Sequence, residues 1–223
     1  MFTTTYRSAV EVNSAMIRVY QNMMLAIIVS MCTSIVVSNT PMLMALFFGT
    51  PLKWLVMLAP IIFVLFFSFK LENLNKGTAT ILLYTFAAVM GLSMSAIFAI
   101  YTSASIFMAF FSSAILFGCM TFYGYFTKRS LESFGQFLIV GLIAIVIASI
   151  VNIFIGSNTM TMVISALAIL IFLGLTAYDT QRIREMLIYD DYGNAEIGGA
   201  LTLYLDFINI FLNLLQLFGT KNE

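Results

Sequence analysis

The sequence has 223 residues, of which 61% are hydrophobic and only 9% are charged, whereas a soluble domain carries ~25% charged residues. This composition excludes a water-soluble protein and requires a lipid bilayer to cover the apolar surface. Ten basic and ten acidic residues leave a formal net charge of zero. Because no basic run is longer than two residues, a nucleic-acid partner is excluded as well.

The apolar sequence divides into stretches suited to spanning helices, each of which needs ~20 mostly apolar residues. A polar N-terminal tail, residues 1–21, comes first and is too long and too mixed for a cleaved signal peptide. The predicted spans then cover residues 23–37, 52–69, 78–101, 104–126, 134–155, 159–178 and 200–218. The short apolar stretch 42–48 cannot cross a bilayer, and we expect it at the interface or as the extension of a helix.

This pattern predicts an all-α integral membrane protein with seven transmembrane helices. A single bundle, residues 22–219, is expected between the tail 1–21 and a short C-terminal tail, residues 220–223. Basic residues near helix ends stay on the cytoplasmic side of a membrane. The inner ones are then Arg7, Arg18, Lys70, Lys76, Lys128, Arg129, Arg182 and Arg184, and the outer ones are Lys53 and Lys221. We therefore expect a protein of the inner or plasma membrane with a cytoplasmic N-terminus and a C-terminus outside.

Histidine is absent from the sequence, and cysteine occurs twice. The lack of histidine excludes a Ser/His/Asp triad, a HExxH zinc site and a histidine pH switch. Cys32 and Cys119 lie inside apolar runs, where free thiols are favoured over a disulfide. Carboxylates are left as the groups that can titrate near neutral pH.

The third span carries small residues four positions apart, at Ala87, Gly91, Ser95 and Ala99. Small residues at this spacing lie on one face of a helix and let a neighbouring helix approach closely. A flexible hinge at Gly91 is the alternative interpretation.

The seventh span carries a stripe of polar residues on an otherwise apolar helix. Its members follow each other at steps of four, three, four and three: Thr202, Asp206, Asn209, Asn213 and Gln216. The uncharged members of the stripe have two possible roles: they form hydrogen bonds between helices, or they line a pore.

Asp206 is the exception within this stripe, because a carboxylate inside a spanning helix costs on the order of 3 kcal/mol. It is expected to face the bundle and to have a partner. Asp179 is the candidate, since an apolar stripe continues through Ile188 and extends the sixth helix by about two turns. Two acids in contact at low dielectric are expected to share one proton. Such a pair can act as a pH-dependent gate and as a weak, transient site for a calcium ion.

Two basic residues are candidate charge partners for these acids. Arg182 follows Asp179 by three residues on the same helix face, and Lys70 ends the second span on the same side. Each either extends to the inner interface or pairs with an aspartate when the acid pair separates. The remaining charged residues of this region predict a solvated inner loop: Arg184, Glu185, Asp190, Asp191 and Glu196.

Two sequence stretches resemble the motifs of a known family. GLTAYDTQRIREM at residues 174–186 and LYLDFINIFLNLLQLFG at residues 203–219 resemble those of the Bax inhibitor (transmembrane Bax inhibitor motif) family. Residues 75–102 and 122–138 are similar to its bacterial branch. The resemblance covers nearly the whole chain after the N-terminal tail.

The resemblance implies six helices around a central seventh helix and a pH-sensitive calcium leak. The aspartates that match Asp179 and Asp206 are the paired carboxylates of the gate in that family. A basic residue near the end of the second helix can exchange for one of them, and Lys70 is the nearest match, where family members often carry arginine. The main hypothesis is thus a monomeric channel for calcium, without a cofactor and without enzymatic activity.

Two other functions stay open at this point. The protein could regulate a membrane-bound protease or another partner, with the N-terminal tail, residues 1–21, as the contact. It could also be an intramembrane aspartyl protease, since two close carboxylates describe that active site too. The YDT run at residues 178–180 lacks the glycine-bearing aspartate motif expected of such a protease.

Overall fold

The computed structural model describes residues 7–70, 74–189 and 194–222, and of residues 66–70 it describes the backbone alone. The regular elements in these ranges are helices. They are α1 (Ala9–Ser38), α2 (Pro41–Phe48), α3 (Leu52–Lys70), α4 (Lys76–Met94), α5 (Ala96–Ile100), α6 (Ser103–Phe126), α7 (Glu132–Ile155), α8 (Asn158–Met186) and α9 (Asn194–Phe218).

Six helical elements of the described chain are long and apolar enough to cross a membrane: α1, α4 together with α5, and each of α6 to α9. A seventh crossing results if α2 and the first part of α3, which are bent by 82°, form one broken span. The structure thus confirms an all-helical protein of the membrane type. The apolar stretch 42–48 belongs to the separate helix α2, which starts at Pro41 and ends before Gly49.

The first helix starts earlier than the apolar run predicted, at Ala9 instead of residue 23. Ser8 and Glu11 form a capping box, in which the Ser8 backbone N–H donates to Glu11 Oε2 at 2.7 Å and the Glu11 N–H donates to Ser8 Oγ. The buried residues of this early part recur every three or four positions: Val12, Ala15, Met16 and Val19. Residues 9–21 of the predicted tail are therefore helical, the division into tail and bundle stays a prediction, and residues 1–6 lie outside the described chain.

The chain divides into two compact units. The first unit comprises Met1–Tyr101, Met186–Tyr204 and Asn222–Glu223 as far as these are described, and the second comprises Thr102–Glu185 and Leu205–Lys221. Helix α9 therefore gives its first part to one unit and its later part to the other. The thiols of Cys32 and Cys119 are free, as predicted.

In the first unit, α1 and α4 pack through small residues. A Cβ atom at Gly91 would collide with the backbone of Ser30. The Ser30 hydroxyl donates to the carbonyl oxygen of Ala87 at 2.7 Å and lies 2.7 Å from the Tyr204 hydroxyl. Close packing is the role that the small-residue stripe predicted. Helix α4 runs unbroken through Gly91, and the break between α4 and α5 falls at Ser95.

In the second unit, α8 packs against α6 and α7 at three glycines. A Cβ atom would collide with a neighbouring helix at each: Gly124 with the backbone of Ala177, Gly135 with the ring of Tyr178, and Gly174 with Leu138. These close approaches fix the turns of α8 that directly precede Asp179.

Replacing Gly124 by alanine is expected to lower the stability of the protein by about 1–3 kcal/mol, because the new methyl group must displace the α8 backbone. Gly118→Ala on the same helix is the matched control. It has open space around the glycine and should stabilise the helix by about 1 kcal/mol. Thermal unfolding in detergent micelles measures both variants. Equal melting temperatures for the two would contradict the close contact of α6 and α8.

Candidate functional site

The two predicted acids are both buried in the second unit, with 9% of Asp179 and 4% of Asp206 exposed. Helix α8 continues past Asp179 to Met186, which places this residue ~10 Å from the end of its helix. Helix α9 begins at Asn194 and not at residue 200, so Asp206 lies ~18 Å from the start of its helix. Both carboxyl groups are thus well inside their helices.

Asp179 and Asp206 lie on consecutive helices of the same unit, and no hydrogen bond joins their carboxyl groups in the part of the chain that the structure describes. The Oδ2 atom of Asp206 is buried and accepts no hydrogen bond within the described chain. An ionised carboxylate without a partner is costly in such surroundings. A proton on one carboxyl group or a bound cation would lower this free-energy cost. The sharing of one proton by the two acids stays a prediction.

The rest of the α8 motif holds this helix in place. The side-chain amide of Gln181 accepts from the backbone N–H of Leu131 at 2.8 Å and donates to the carbonyl oxygen of Arg129 at 3.0 Å. One turn further, Arg184 donates to the Tyr125 carbonyl oxygen, and its guanidinium lies 5.0 Å from the centre of the Tyr125 ring. Asp179 is therefore carried by a helix whose other motif residues anchor the connection between α6 and α7.

The two candidate charge partners differ in what the structure describes. Arg182 is exposed, and its charge acts on Asp179. Lys70 is the last residue of α3, and its side chain lies outside the described part of the chain. The exchange of either residue with an aspartate stays a prediction.

The uncharged members of the α9 stripe make different hydrogen bonds. Thr202, Asn209 and Asn213 each donate to the backbone carbonyl four residues earlier, at 3.1, 2.8 and 2.8 Å. Gln216 instead accepts from the Ser165 hydroxyl of α8 at 2.9 Å. The interpretation as a link between helices thus applies to Gln216, whereas the two asparagines bond to their own helix.

Sequence reasoning missed a cluster of charges in the first unit. Glu196 was predicted to lie in a solvated loop, and this prediction is wrong, because its side chain is only 1% exposed. Arg18 binds it with two hydrogen bonds of 2.7 and 3.0 Å, Lys76 donates at 2.7 Å, and Arg7 lies 3.6 Å away. The sequence feature that could have indicated the cluster is Glu196 itself, an acid in the first turn of the apolar helix α9.

A resident metal centre finds no support in the described residues. Within them, no three Asp, Glu, Cys or His side chains lie together in a way that could hold a metal ion. The weak and transient binding of calcium by Asp179 and Asp206 therefore stays a prediction.

Apolar spanning helices with two buried acids on consecutive helices define an integral membrane protein with a carboxyl site inside its helices. Residues 12–223 match the family model described as inhibitor of apoptosis-promoting Bax1. The chain belongs to this family, the Bax inhibitor family, as the sequence motifs predicted.

Similar proteins occur in several bacteria. The chain is 38% identical to protein RP147 of Rickettsia prowazekii over 214 residues, which cover 93% of this chain and 90% of that protein. It is 42% identical to inner membrane protein YbhL of Escherichia coli over 170 residues, or 74% and 73% of the two chains. A Streptococcus pyogenes membrane protein, SpyM3_0260, is 39% identical over 154 residues, or 66% of each chain. These relatives support a bacterial membrane protein.

Proposed function

We propose that this protein is a calcium leak channel of the bacterial inner or plasma membrane, gated by the protonation of Asp179 and Asp206. The observation that carries the proposal is the burial of both Asp179 and Asp206 inside consecutive helices of one unit, with one Asp206 oxygen atom that accepts no hydrogen bond in the described chain. Ionisable groups inside spanning helices are costly and mark ion or proton pathways.

The gate works through one proton held by two carboxyl groups. In the singly protonated pair, the O–H of one aspartate donates to the carboxylate of the other, which ties α8 to the later part of α9. Loss of this proton to water leaves two negative charges that repel each other, and a second proton removes the charge that strengthens the hydrogen bond. A calcium ion that passes the pair meets hard oxygen ligands, which are the type that it prefers.

The topology that fits this function has seven crossings. The bent pair of α2 and α3 forms one of them, and α9 is the central helix, surrounded by the other six. An N-terminus in the cytoplasm and a C-terminus outside agree with the distribution of lysine and arginine. The channel acts as a monomer and without a cofactor.

A leak is favoured over a regulator that binds a protease through its N-terminal tail. The segment proposed as the contact is helical from Ala9, and four of its apolar residues are buried within the protein, where they are not available to a partner. A leak is also favoured over an aspartyl protease, because nothing in the α8 motif beyond the acid itself indicates that chemistry.

Calcium flux into vesicles that contain the purified protein tests the proposal. With a calcium indicator inside the vesicles, we expect entry that exceeds that of protein-free vesicles and changes with pH. The absence of flux at every pH would overturn the proposal. In that case a chain that lacks only residues 1–6, and so keeps Arg7 in the cluster around Glu196 and the Ser8 cap of α1, tests the regulator: loss of its effect in cells would support that function.

A further inference from the structure

The second unit contains a cavity of about 550 Å³ next to the α9 stripe. It is lined by residues of α7, α8 and the later part of α9, and it extends from the turn between α7 and α8, at Gly156, to Phe172. The polar side chains in its wall are Ser149, Asn152, Asn158, Thr161, Asn209, Asn213 and Gln216. The rest of the wall is apolar and none of the lining residues is charged, so the cavity is mixed in polarity and neutral.

The orientation of two asparagine side chains in this wall is fixed. Asn209 and Asn213 each use the amide nitrogen to donate to a carbonyl oxygen of their own helix at 2.8 Å. A backbone carbonyl can only accept, so the nitrogen and not the oxygen must face it. The two side-chain oxygens therefore point away from that carbonyl, and neither accepts a hydrogen bond in the described chain.

Several other polar groups of the wall bond within the protein, and the Ser149 hydroxyl donates to the carbonyl oxygen of Ile145 at 2.8 Å. Asn152 donates to the Thr161 hydroxyl at 2.7 Å and accepts from the Ser157 N–H at 3.2 Å. The oxygen of Gln216 accepts from Ser165. The side-chain oxygens of Asn209 and Asn213, together with that of the exposed Asn158 at the start of α8, thus remain as acceptors that the wall can offer to a ligand.

The oxygens of Asn209 and Asn213 lie on the helix face that leads to the buried acid. Asn213, Asn209 and Asp206 follow each other at successive turns, and they span ~10 Å along α9. Asparagine oxygens are common calcium ligands, and six to eight oxygens surround the ion. At about 30 Å³ for each water molecule, eight waters need about 240 Å³, so the cavity has room for a hydrated ion.

We propose that this cavity is a neutral binding chamber for a hydrated divalent cation, in which Asn209 and Asn213 supply the protein ligands. This inference rests on the proposed calcium leak. It adds a second binding site for the ion, about one helical turn from the acid pair along α9. Since the chamber has no charge, it holds the ion weakly and releases it readily, which conduction requires. The ion keeps most of its water there.

Replacing Asn213 by leucine tests the chamber in the same vesicle experiment. The variant removes one oxygen ligand and makes the wall more apolar, so we expect the calcium flux to fall about tenfold, equivalent to about 1.4 kcal/mol. The response of the remaining flux to pH should be that of the wild type, because both acids are unchanged. Asn213→Asp has the same shape and adds a charge, and the calcium concentration at half-maximal flux should fall about tenfold.

Asn22→Leu is the matched control. Asn22 lies in the spanning helix α1 and also donates to the carbonyl four residues earlier, but its oxygen accepts from Tyr84 and it lies outside the cavity. Unchanged flux in this control, with reduced flux in Asn213→Leu, supports the chamber. Wild-type flux and half-saturation in both Asn213 variants would overturn the chamber and leave the leak intact. A wild-type protein without flux would overturn the leak and the chamber together.

Discussion

The calcium flux of an Asp206→Asn variant is expected to lose its response to pH. Asparagine has nearly the shape of aspartate, so the packing of the 4% exposed side chain should survive. Its amide cannot bind or release a proton near neutral pH, and it cannot share one with Asp179. The tie between α8 and α9 then no longer depends on protonation of the pair. Flux into vesicles at a series of pH values measures the effect.

Asp179→Asn should have the same effect, because a shared proton requires both carboxyl groups. Glu132→Gln is the control: this acid is exposed in the first turn of α7, and its removal should leave the pH response as in the wild type. A wild-type pH profile in both aspartate variants would contradict the gate, even if the flux itself were smaller.

Removal of the charge of Glu196 is expected to cause a large loss of stability. The Glu196→Gln variant keeps the shape of the side chain, but three cations then face a neutral amide. Hydrogen bonds to charged groups contribute about 1.5–3 kcal/mol each to stability. Removal of one partner of a buried ion pair strongly destabilises the folded protein. Because the side chains of Arg18 and Lys76 are nearly half exposed, water compensates part of this. We expect a net loss of about 2 kcal/mol.

Thermal unfolding in detergent micelles measures this loss against Glu132→Gln, whose exposed carboxylate should contribute little. Arg18→Lys provides a graded comparison, since lysine keeps the charge but cannot form the two parallel hydrogen bonds. Its melting temperature should lie between those of the wild type and Glu196→Gln. A wild-type melting temperature for Glu196→Gln would show that the cluster does not stabilise the fold.

Much of the fold could be predicted because the membrane imposes a simple pattern on the sequence. Long apolar stretches must form helices there, since the bilayer offers no partner to backbone N–H and C=O groups. The extension of α8 beyond Asp179 followed from the periodicity of its apolar residues, and the structure continues that helix to Met186. The early start of α1 has a local indication too, the Ser8 and Glu11 pair of a capping box, but the distribution of apolar residues does not show it.

The charge cluster could not be predicted in the same way. Glu196 and Arg18 are separated by 178 positions in the sequence. Their contact depends on the packing of α1 and the start of α9 within one unit, and neither helix shows it in its own pattern. The anchoring role of Gln181 is of the same kind, because it bonds to backbone groups of a connection 50 residues earlier.

The burial of the two acids could be predicted from the free-energy cost of a carboxylate in lipid. The hydrogen bonds of the neighbouring side chains could not be predicted. A carboxylate in a spanning helix must turn away from lipid, so the sequence alone predicts that Asp206 lies inside the protein. The orientation of the asparagines on the same face depends on bonds to their own backbone. Such bonds compete with bonds between helices, and sequence spacing does not decide between them.

Infrared difference spectra of the protein in bilayers, recorded between pairs of pH values, test the shared proton most directly. The carbonyl stretch of a protonated carboxyl group is distinct from the bands of a carboxylate. We expect one such band to change with pH over the range in which the flux changes, and to be altered or lost in both Asp179→Asn and Asp206→Asn. A band that titrates unchanged in both variants, or a wild-type protein without any protonated carboxyl band in that range, would contradict a proton held between these two acids.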